Sequence, residues 1–410
     1  MAFARLSRAH RGGKLPLGLA AVVALIALLP APTAKAGVSW IVNGRGFGHG
    51  VGMSQYGAYG YARNGKSYRF ILAHYYSGTS IGKLAASRGV RVLIEVSGDD
   101  VGFSGATGAC GKRLDPNRSY EAHRAGGSVR LRSSGGQLLA DCGRKLRAAG
   151  NGRIVISGAT YRGALEVVPT ASDAGSLNAV NALPVDQYVK GVVANESPSS
   201  WPMAALRAQA VAARSYALTS QVGGNGFDLY NDTRSQVYGG LASETLRTND
   251  AADETKGEVV RYRGEIAQTF FSACSGGHTE SIQNVFFGPP IPYLVGVPDP
   301  YDSFCPLHTW RLRFSGAGLS ARLGGYLDGQ LKRIAITQRG ASPRVIWARL
   351  YGTGGVTRIR GDQLQLALGA YDRWLNFSKV VNGKVTGNGG GESQGGGVAQ
   401  DGSSGVAPLN

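Results

Sequence analysis

One acidic side chain in this 410-residue sequence stands where a carboxyl group can perform acid–base chemistry. Glu196 follows apolar residues that repeat at the spacing of one buried helix face, namely Val185, Tyr188, Val189, Val192 and Val193. Eleven positions separate Val185 from Glu196, which is close to three helical turns, so the carboxyl group continues this apolar face. Pro198 disfavours helix at Ser197, which places Glu196 in the last turn, at the negative end of the helix dipole.

Both features predict that the pKa of Glu196 lies above the usual carboxyl range. Apolar surroundings and the negative helix end each disfavour the anion, so the carboxyl keeps its proton to higher pH. A carboxyl that is protonated near neutral pH is what a general acid requires. The alternative is a solvated glutamate at a helix end, with the apolar face stopping at Val193.

Two helices must position this acid. Pro184 suits the first position of the first helix, because that position needs no backbone N–H. A Ser-Pro-Ser-Ser turn then leads into a second helix over about residues 202–221, which is rich in alanine. Its narrow apolar face lets a neighbouring backbone come close and consists of Leu206, Ala210, Ala213 and Ala217. Gln209 is one of its polar members.

An unusual glycine series lies near the start of the chain. Glycine occupies positions 44, 46, 48, 50 and 52, and neither a dinucleotide-binding nor a phosphate-binding loop has this spacing. The series predicts a backbone that comes very close to something else, either a ligand or another part of the chain. His49, Ser54 and Gln55 are the polar side chains available to contact a ligand there.

Most of the remaining sequence predicts short strands separated by glycine-rich turns. Residues 89–181 and 308–378 both show apolar alternation, for example Val90, Val92, Ile94 and Val96. Together with the 63 glycines, these runs on either side of the two helices predict a loop-rich, strand-containing protein rather than a helical bundle.

Charge and the first residues indicate export. Residues 1–36 combine a basic start, an apolar run over 15–29 and the small residues Ala34 and Ala36, which predicts a signal peptide cleaved before Gly37. The net charge is +18, and +13 without that segment, which suits an anionic bacterial wall. We find no nucleic-acid-binding motif and no second apolar span, so we expect no nucleic acid partner and no membrane attachment after cleavage.

Four cysteines suit an exported chain. Pairing neighbours predicts the disulfides Cys110–Cys142 and Cys274–Cys305, each closing a loop worth roughly 3–4 kcal/mol. The second pair has an alternative, because His278 and His308 would complete a tetrahedral zinc set with Cys274 and Cys305. Outside the cytoplasm we favour the disulfide and no cofactor, with zinc as the other possibility.

Several of these stretches together resemble one family. VDQYVKGVVANESPSSWPMAALRAQAVAARSYAL resembles the core motif of the SpoIID/LytB domain, which occurs in stage II sporulation protein D and in amidase enhancers. YRGALEVV, DTRSQVYGG, SACSGGHTES and PYLVGVPDPYD are similar to other parts of that family. Residues 44–81 resemble its glycine-histidine motif, which usually follows the domain and here precedes it.

The resemblance implies an α+β fold, a mixed β-rich domain whose two-helix catalytic core lines a groove. It also implies a lytic transglycosylase that cleaves the glycan strands of peptidoglycan. It places the family's catalytic glutamate at Glu196, and we expect Gln209, Tyr238, Ser275 and His278 to line the groove. His49, Ser54 and Gln55 are further candidates for sugar contacts. In some sporulation relatives a zinc site occurs, whereas cysteine at both 274 and 305 supports a disulfide here.

The domain organisation and one alternative function follow. We predict a signal peptide over 1–36, a glycine- and histidine-rich segment over 37–88 packed on the main domain, that domain over 89–379 and a disordered tail over 380–410. The protein is expected to be secreted or associated with the cell wall. The alternative to an enzyme is a non-catalytic wall-binding enhancer of an N-acetylmuramoyl-L-alanine amidase, in which an amidase is the partner.

Overall fold

A computed structural model describes residues 37–171 and 175–388. The predicted signal peptide lies outside these residues. Within them the helices are α1 Gln55–Arg63, α2 Tyr68–Tyr75, α3 Val185–Glu196, α4 Met203–Thr219, α5 Leu246–Glu254, α6 Ile282–Phe286, α7 Gly316–Arg322 and α8 Gly361–Leu368, with short 3-10 turns at Leu241–Ser243 and Asp302–Phe304. None of these helices has the length and apolar character needed to cross a bilayer.

The strands confirm the prediction of a β-rich α+β fold. They are β1 Ser39–Arg45, β2 Met53–Ser54, β3 Ser80–Lys83, β4 Gly89–Ser97, β5 Asp100–Ala109, β6 Lys112–Arg113, β7 Ser119–Ala125, β8 Ser128–Ser133, β9 Leu138–Asp141, β10 Leu146–Ile156, β11 Ala159–Pro169, β12 Leu177–Pro184, β13 Leu229–Tyr230, β14 Glu258–Tyr262, β15 Glu265–Ile266, β16 Phe271–Ser272, β17 Thr309–Ser315, β18 Arg333–Arg339, β19 Val345–Tyr351, β20 Val356–Arg360, β21 Trp374–Val381 and β22 Lys384–Asn388.

A large sheet follows from the predicted strand region. Its order is β13-β4-β12-β11-β10-β5-β7-β8-β9, with β6 paired to β5. Strand β12 leads directly into α3 at Pro184, so the sheet fixes where the first helix starts. The second half of the chain adds the sheet β18-β19-β20, whose inner face packs on α7 and α8.

The glycine- and histidine-rich segment contributes strands to three different sheets. Strand β1 lies between β17 and β21, β2 pairs with β16 in parallel, and β3 pairs with β14. Residues 37–88 therefore do not stand beside the main domain as a separate unit. They connect its middle with its last strands.

Residues 380–388, which the sequence assigned to a disordered tail, belong to a β-hairpin. Strands β21 and β22 form a hairpin, in which Val380 lies opposite Val385. Asn382 and Gly383 both have positive φ angles, 52° and 76°, as the tight turn between two hairpin strands requires. An Asn-Gly pair is a hairpin signal in a sequence. The glycine-rich composition of this region nevertheless led to the prediction of a tail. Residues 389–410, the remainder of the predicted tail, lie outside the described residues.

Helix α4 is buried on two sides. The predicted face, Leu206 with Ala210, Ala213 and Ala217, packs against the large sheet and α3. A second face, Ala208 with Val211 and Ala212, packs against α1 and α2. Because alanine side chains are short, both sets of neighbours approach the helix axis closely, and α4 joins two hydrophobic cores.

A buried ion pair fixes α4 against the start of α3. The Arg214 side chain is fully buried, and its Nε donates to Asp186 Oδ1 at 2.7 Å. Its other nitrogens donate to the backbone carbonyls of Glu258 and Ala252 at 3.0 and 3.2 Å. The guanidinium group is thus satisfied by both a charge and the backbone, as a buried cation must be.

At the glycine series, the chain crosses close to the segment 270–274. Gly46, Gly48 and Gly52 all have positive φ, and each faces the segment 270–274 closely. Gly50 faces the guanidinium group of Arg344. Of the two readings that the sequence allowed, the structure therefore shows close approach to the chain itself at these positions.

Replacing Gly52 by alanine should destabilise the fold more than the same change at Gly65. Both residues have φ near +70°, at 71° and 74°, so both variants carry the left-handed strain of roughly 1–2 kcal/mol. Only at Gly52 would the new Cβ collide with the Phe270 carbonyl oxygen, whereas nothing lies close at Gly65. Denaturant unfolding should show an additional loss of about 1–3 kcal/mol for Gly52→Ala. Equal losses in the two variants would contradict a crossing at Gly52.

Candidate functional site

The carboxyl group of Glu196 lies between two N–H donors from distant parts of the chain. The backbone N–H of Val237 donates to Oε1 at 2.9 Å, and Gln55 Nε2 donates to Oε2 at 3.1 Å. Gln55 Nε2 also lies 3.1 Å from the Glu196 carbonyl oxygen, so it holds both the side chain and the end of α3. The carboxyl group is thereby fixed in one orientation.

Burial raises the pKa of Glu196 above its usual value. The hydrogen bonds from Val237 and Gln55 act in the opposite direction, because both stabilise the anion. The direction agrees with the sequence prediction, and the main cause is removal from water. Within residues 37–171 and 175–388, no second carboxyl group contributes to this shift.

Three elements meet at this acid. Glu196 is the last residue of α3, Gln55 is the first residue of α1, and Gln209 lies in α4. Gln55 Nε2 is 3.5 Å from Gln209 Oε1, and both glutamine side chains are buried. The structure thus brings together three of the predicted site residues: Glu196, Gln55 and Gln209.

The loop that supplies the Val237 N–H is anchored by the residue before it. Gln236 is 1% exposed, and its Nε2 donates to the Tyr188 hydroxyl and the Ala213 carbonyl, both at 3.3 Å. These contacts attach the loop to α3 and α4 together. Sequence reasoning missed Gln236, although it directly precedes Val237 and Tyr238 in the DTRSQVYGG motif.

A series of aromatic rings begins next to Gln55. Tyr56 lies 5.0 Å from the ring of Trp201, Tyr59 lies 5.1 Å from Trp201, and Phe304 lies 5.3 Å from Tyr59. Trp201 is in the turn between α3 and α4, five positions after Glu196. Because Tyr56 and Tyr59 are partly exposed and Phe304 is 48% exposed, the series forms a surface beside the acid. Sequence reasoning did not identify it.

A cavity of about 990 Å³ lies at the other end of the helix pair. Its lining includes Leu183, Pro184 and Gln187 around the start of α3, with Ala217 and Leu218 at the end of α4. Gln187 and Pro184 precede Glu196 by nine and twelve positions, so this lining is separated from Glu196 by roughly 14–18 Å along the helix. The predicted helix pair does line a cavity, but Glu196 is not among the residues that line it.

Tyr238 belongs to the core and not to a groove. Its side chain is 5% exposed, and its hydroxyl donates to Asn181 Oδ1 at 2.8 Å. Its ring packs 5.1 Å from that of Tyr188. The motif that contains Tyr238 supplies the site with the Val237 backbone N–H rather than with this hydroxyl.

Ser54 and Ser275 are also buried, and both bind the carboxylate of Asp302. Ser54 Oγ donates to Asp302 Oδ1 at 2.7 Å and caps α1 by accepting from the Gly57 N–H. The backbone N–H groups of Ser275 and Gly276 donate to Asp302 at 3.0 and 2.8 Å. The Ser-Gly-Gly turn therefore presents its N–H groups to an internal carboxylate, and both serines lie away from a groove because they hold chain segments together.

The two predicted histidines lie elsewhere and do not contact Glu196. His49 is packed by Phe270 and Phe286, and burial lowers its pKa to about 4. Its neutral Nδ1 accepts from the Val51 N–H at 3.0 Å. His278 is partly buried, with Nδ1 2.7 Å from the Thr279 carbonyl oxygen. Neither imidazole reaches the acid.

Both predicted disulfides are present, Cys110–Cys142 and Cys274–Cys305. The two sulfurs of the alternative zinc set are thus bonded to each other. His308, the last member of that set, instead places Nδ1 3.0 Å from Asp302 Oδ2. No group of three or more metal-binding side chains occurs in the described part of the chain.

A buried pair of aspartates was not foreseen from the sequence. Asp299 accepts from the Tyr75 hydroxyl at 2.9 Å and from Ser275 Oγ at 2.7 Å, close to Asp302. Burial, followed by the charge of Asp302, raises the pKa of Asp299 to about 7. The PDPYD stretch spaces the two acids three positions apart, and only the fold shows that both point inward.

Comparison with known proteins confirms the family resemblance. Residues 173–262 match the family described as stage II sporulation protein, the SpoIID family. The amidase enhancer of Bacillus subtilis is 38% identical over 134 residues, which are 33% of this chain and 18% of that protein. Stage II sporulation protein D of the same organism is 32% identical over 167 residues, 37% of this chain and 48% of that protein.

An uncharacterised protein of Brachyspira hyodysenteriae is 41% identical over 145 residues, 35% of this chain and 38% of that protein. The chain therefore spans less than half of the length of each of these three relatives. The matched region 173–262 contains Glu196, Gln209 and Val237. Gln55, the other donor to the Glu196 carboxyl, lies outside it.

Removing the Gln55 amide should raise the pKa of Glu196 further. Gln55→Leu deletes a hydrogen bond that stabilises the anion, so the carboxyl should keep its proton to higher pH. A carbon-13 NMR titration of glutamate-labelled protein measures this, with Glu196→Gln identifying the signal. Gln187→Leu, in the first turn of α3, is the control. An unchanged Glu196 titration in Gln55→Leu would contradict the assigned contact.

Asp299 should make stability fall as pH rises. Its folded pKa of about 7 exceeds the ordinary value of 3.8, so the folded state binds a proton more tightly than the unfolded state. The associated stabilisation is complete below pH 3.8 and is lost as the pH rises through about 7. Unfolding free energies measured between pH 4 and 8 should decline less steeply in Asp299→Asn. Parallel curves for both proteins would refute this assignment.

Proposed function

The chain carries a domain of the SpoIID/LytB family, and we propose that it is an exported lytic transglycosylase of peptidoglycan glycan strands. Glu196 is the single acid and base of this proposal. The observation that carries it is the environment of that carboxyl: partly withdrawn from water, with a raised pKa, and held by N–H donors on both oxygens. Secretion or association with the wall, a proposal that rests on residues 1–36, places it with its substrate.

The proposed reaction needs one proton carrier. Protonated Glu196 gives its proton to the glycosidic oxygen as the bond from that oxygen to C1 breaks. The carboxylate then takes the proton of the muramic acid C6 hydroxyl, whose oxygen forms the new bond to C1. The products are a free hydroxyl and a 1,6-anhydro end, no water is consumed, and Glu196 is protonated again.

The two donors suit both halves of this cycle. While Glu196 is protonated, burial favours the acid; once it has lost the proton, the Val237 and Gln55 N–H groups stabilise the anion. Burial raises the pKa of Glu196 and the two hydrogen bonds lower it. An intermediate pKa lets one carboxyl act first as an acid and then as a base. Gln55 and Gln209 are thus positioning residues in this proposal.

A single carboxyl also distinguishes this reaction from hydrolysis. Most glycoside hydrolases place two carboxyl groups on either side of the scissile bond, one of them for a nucleophile or for activating water. The pKa of Glu196 is set by burial and by the Val237 and Gln55 N–H donors, and in this proposal Glu196 acts alone. Intramolecular attack by the C6 hydroxyl removes the need for one.

The aromatic surface is the proposed place for the glycan. Tyr56, Tyr59 and Phe304 lie in a row beside Gln55 and are partly open to solvent, as rings that pack on sugar faces need to be. Arg63 lies over Tyr59 and Phe304, at 5.8 and 5.9 Å from the ring centroids, and closes the far end of the row. An extended polymer suits an open row better than an enclosed cavity.

Glu196→Gln should strongly slow the formation of 1,6-anhydro ends. Because the amide cannot deliver a proton, the rate should fall by about 10²- to 10⁴-fold. Mass spectrometry of digested denuded glycan strands measures the anhydro ends. Glu254→Gln is a matched control, since it makes the same change at a partly exposed glutamate of α5 that pairs with Arg207. A Glu196→Gln protein as active as Glu254→Gln would overturn the proposal.

The second candidate is a non-catalytic enhancer that binds the wall and assists an amidase. The observation in its favour is the 38% identity to the amidase enhancer of Bacillus subtilis. This function predicts that Glu196→Gln stimulates an N-acetylmuramoyl-L-alanine amidase as well as the wild-type protein does, and that neither protein yields anhydro ends. Adding the amidase to the same digest therefore separates the two candidates.

A further inference from the structure

The outer face of the sheet β18-β19-β20 carries a grid of arginine and aromatic side chains. Directly opposite residues on the three strands project from the same side, and they form rows. The rows are Arg333, Tyr351 and Val356; Ala335, Arg349 and Arg358; and Trp347 with Arg360. The other side of the sheet is apolar and buried, with Ile334, Ala348, Leu350 and Ile359 in the core. We refer to the eight residues of the three outer rows as the arginine face.

Three of the four arginines on this face form no salt bridge with the described residues. Residues 309–388 contain 13 arginines and lysines against 3 aspartates, a net charge of +10. Arg360 pairs with Asp362 at 2.8 Å, whereas Arg333, Arg349 and Arg358 make no salt bridge with any described residue. The positive charge of the face is therefore left largely uncompensated.

Two of the guanidinium groups are held in place by rings. Arg333 lies 3.8 Å from the ring centroid of Tyr351, and Arg358 lies 3.7 Å from that of Trp347. Stacking restricts these long side chains and leaves their N–H edges free, which lowers the entropy lost when an anion binds. The face is therefore partly organised for a ligand in advance.

One contact on the face is unfavourable for the folded chain. Arg349 and Arg358 lie directly opposite each other on neighbouring strands, and both are exposed. Like charges in this position destabilise a sheet. An anion between the two guanidinium groups would remove that repulsion.

We propose that the arginine face binds a phosphodiester-linked polyanion of the cell wall. Guanidinium groups recognise phosphate oxygens through paired N–H donors. Side chains two positions apart along a strand are separated by about 6.8 Å and those on adjacent strands by about 4.8 Å, so the face presents repeated cations to a repeating anion. The source in the wall rests on the proposed function, but the binding itself does not involve Glu196.

The rings on this face argue against nucleic acid as the occupant. Proteins that bind single strands without sequence preference stack bases on open aromatic side chains. Tyr351 and Trp347 are instead covered by Arg333 and Arg358. What remains available is charge and N–H donors, which suits a polymer without bases.

The face is connected with the surroundings of Glu196 through ring contacts. Phe287 lies 6.2 Å from Trp347, and its neighbour Phe286 lies 5.1 Å from Phe270. Phe270 in turn lies 5.9 Å from Tyr216, whose pKa is raised mainly by burial and further by the charge of Glu196.

Binding to purified poly(glycerol phosphate) tests this proposal. The affinity of the full chain is measured between 50 and 300 mM salt, for wild type and for Arg349→Gln/Arg358→Gln. We expect weaker binding by the double variant and a slope of log affinity against log salt that is smaller by about 1.4, for two lost phosphate contacts. Lys112→Gln/Arg113→Gln removes the same charge from β6 and should keep the wild-type slope.

Two further variants separate recognition, folding and catalysis. Arg349→Lys/Arg358→Lys keeps the charge but lacks the paired donors, so its affinity should fall between those of wild type and the glutamine variant. The glutamine variant loses a repulsive pair and should unfold at no lower temperature than wild type. Glu196→Gln should bind the polymer as wild type does, so failure of the catalytic proposal would leave this result unaffected.

Three outcomes would overturn the inference. The first is equal binding by the arginine-face and β6 variants. The second is equal affinity for poly(glycerol phosphate) and for polygalacturonate of the same charge, which would indicate unspecific attraction to any polyanion. The third is tighter binding of a single-stranded oligonucleotide, which would assign the face to nucleic acid.

Discussion

The burial of α4 on two sides is the constraint on which the rest of the structure depends. A helix can serve two cores only if its side chains are short, and Ala208, Ala210, Ala212 and Ala213 meet that condition on both faces. The consequence reaches the acid directly. With α4 held between the large sheet and α1, the Gln209 side chain meets Gln55, and Gln55 reaches the end of α3 where Glu196 lies. A larger residue on either face would separate these elements.

Most polar residues in the recognisable motifs form hydrogen bonds that link chain segments, and only a few form hydrogen bonds to the Glu196 carboxyl. Asp302 accepts hydrogen bonds from Ser54, Ser275 and Gly276, and so unites the glycine-rich segment with the loop around Cys274. Gln236 likewise attaches the loop that carries Val237 to α3 and α4 through its hydrogen bonds. A motif that is rich in polar groups can thus surround a partly buried carboxyl whose direct partners are one amide side chain and one backbone N–H.

Local patterns predicted what local interactions determine. Periodicity identified the buried face of α3, and the spacing from Val185 correctly indicated a raised pKa for Glu196, with burial as its chief cause. Long-range pairing was beyond such patterns. Nothing near Gln55 indicates that its amide meets residue 196, and nothing near Tyr238 indicates that its hydroxyl turns inward to Asn181. The inward orientation of Asp299 likewise depends on packing between segments more than 200 positions apart in the sequence.

The position of β1 has a consequence for how such a chain can be rearranged. Ser39 lies opposite Val380, so β1, the first described strand, and β21, the last but one, are neighbours in space although most of the described chain separates them in sequence. Segments whose ends adjoin in this way can be detached from one end of a polypeptide and attached to the other while the packing is retained. A glycine-histidine motif encoded after the domain would need only a short connection from β21 to occupy the same place between β17 and β21. For this segment, the position in the sequence can therefore change while the position in the folded structure stays the same.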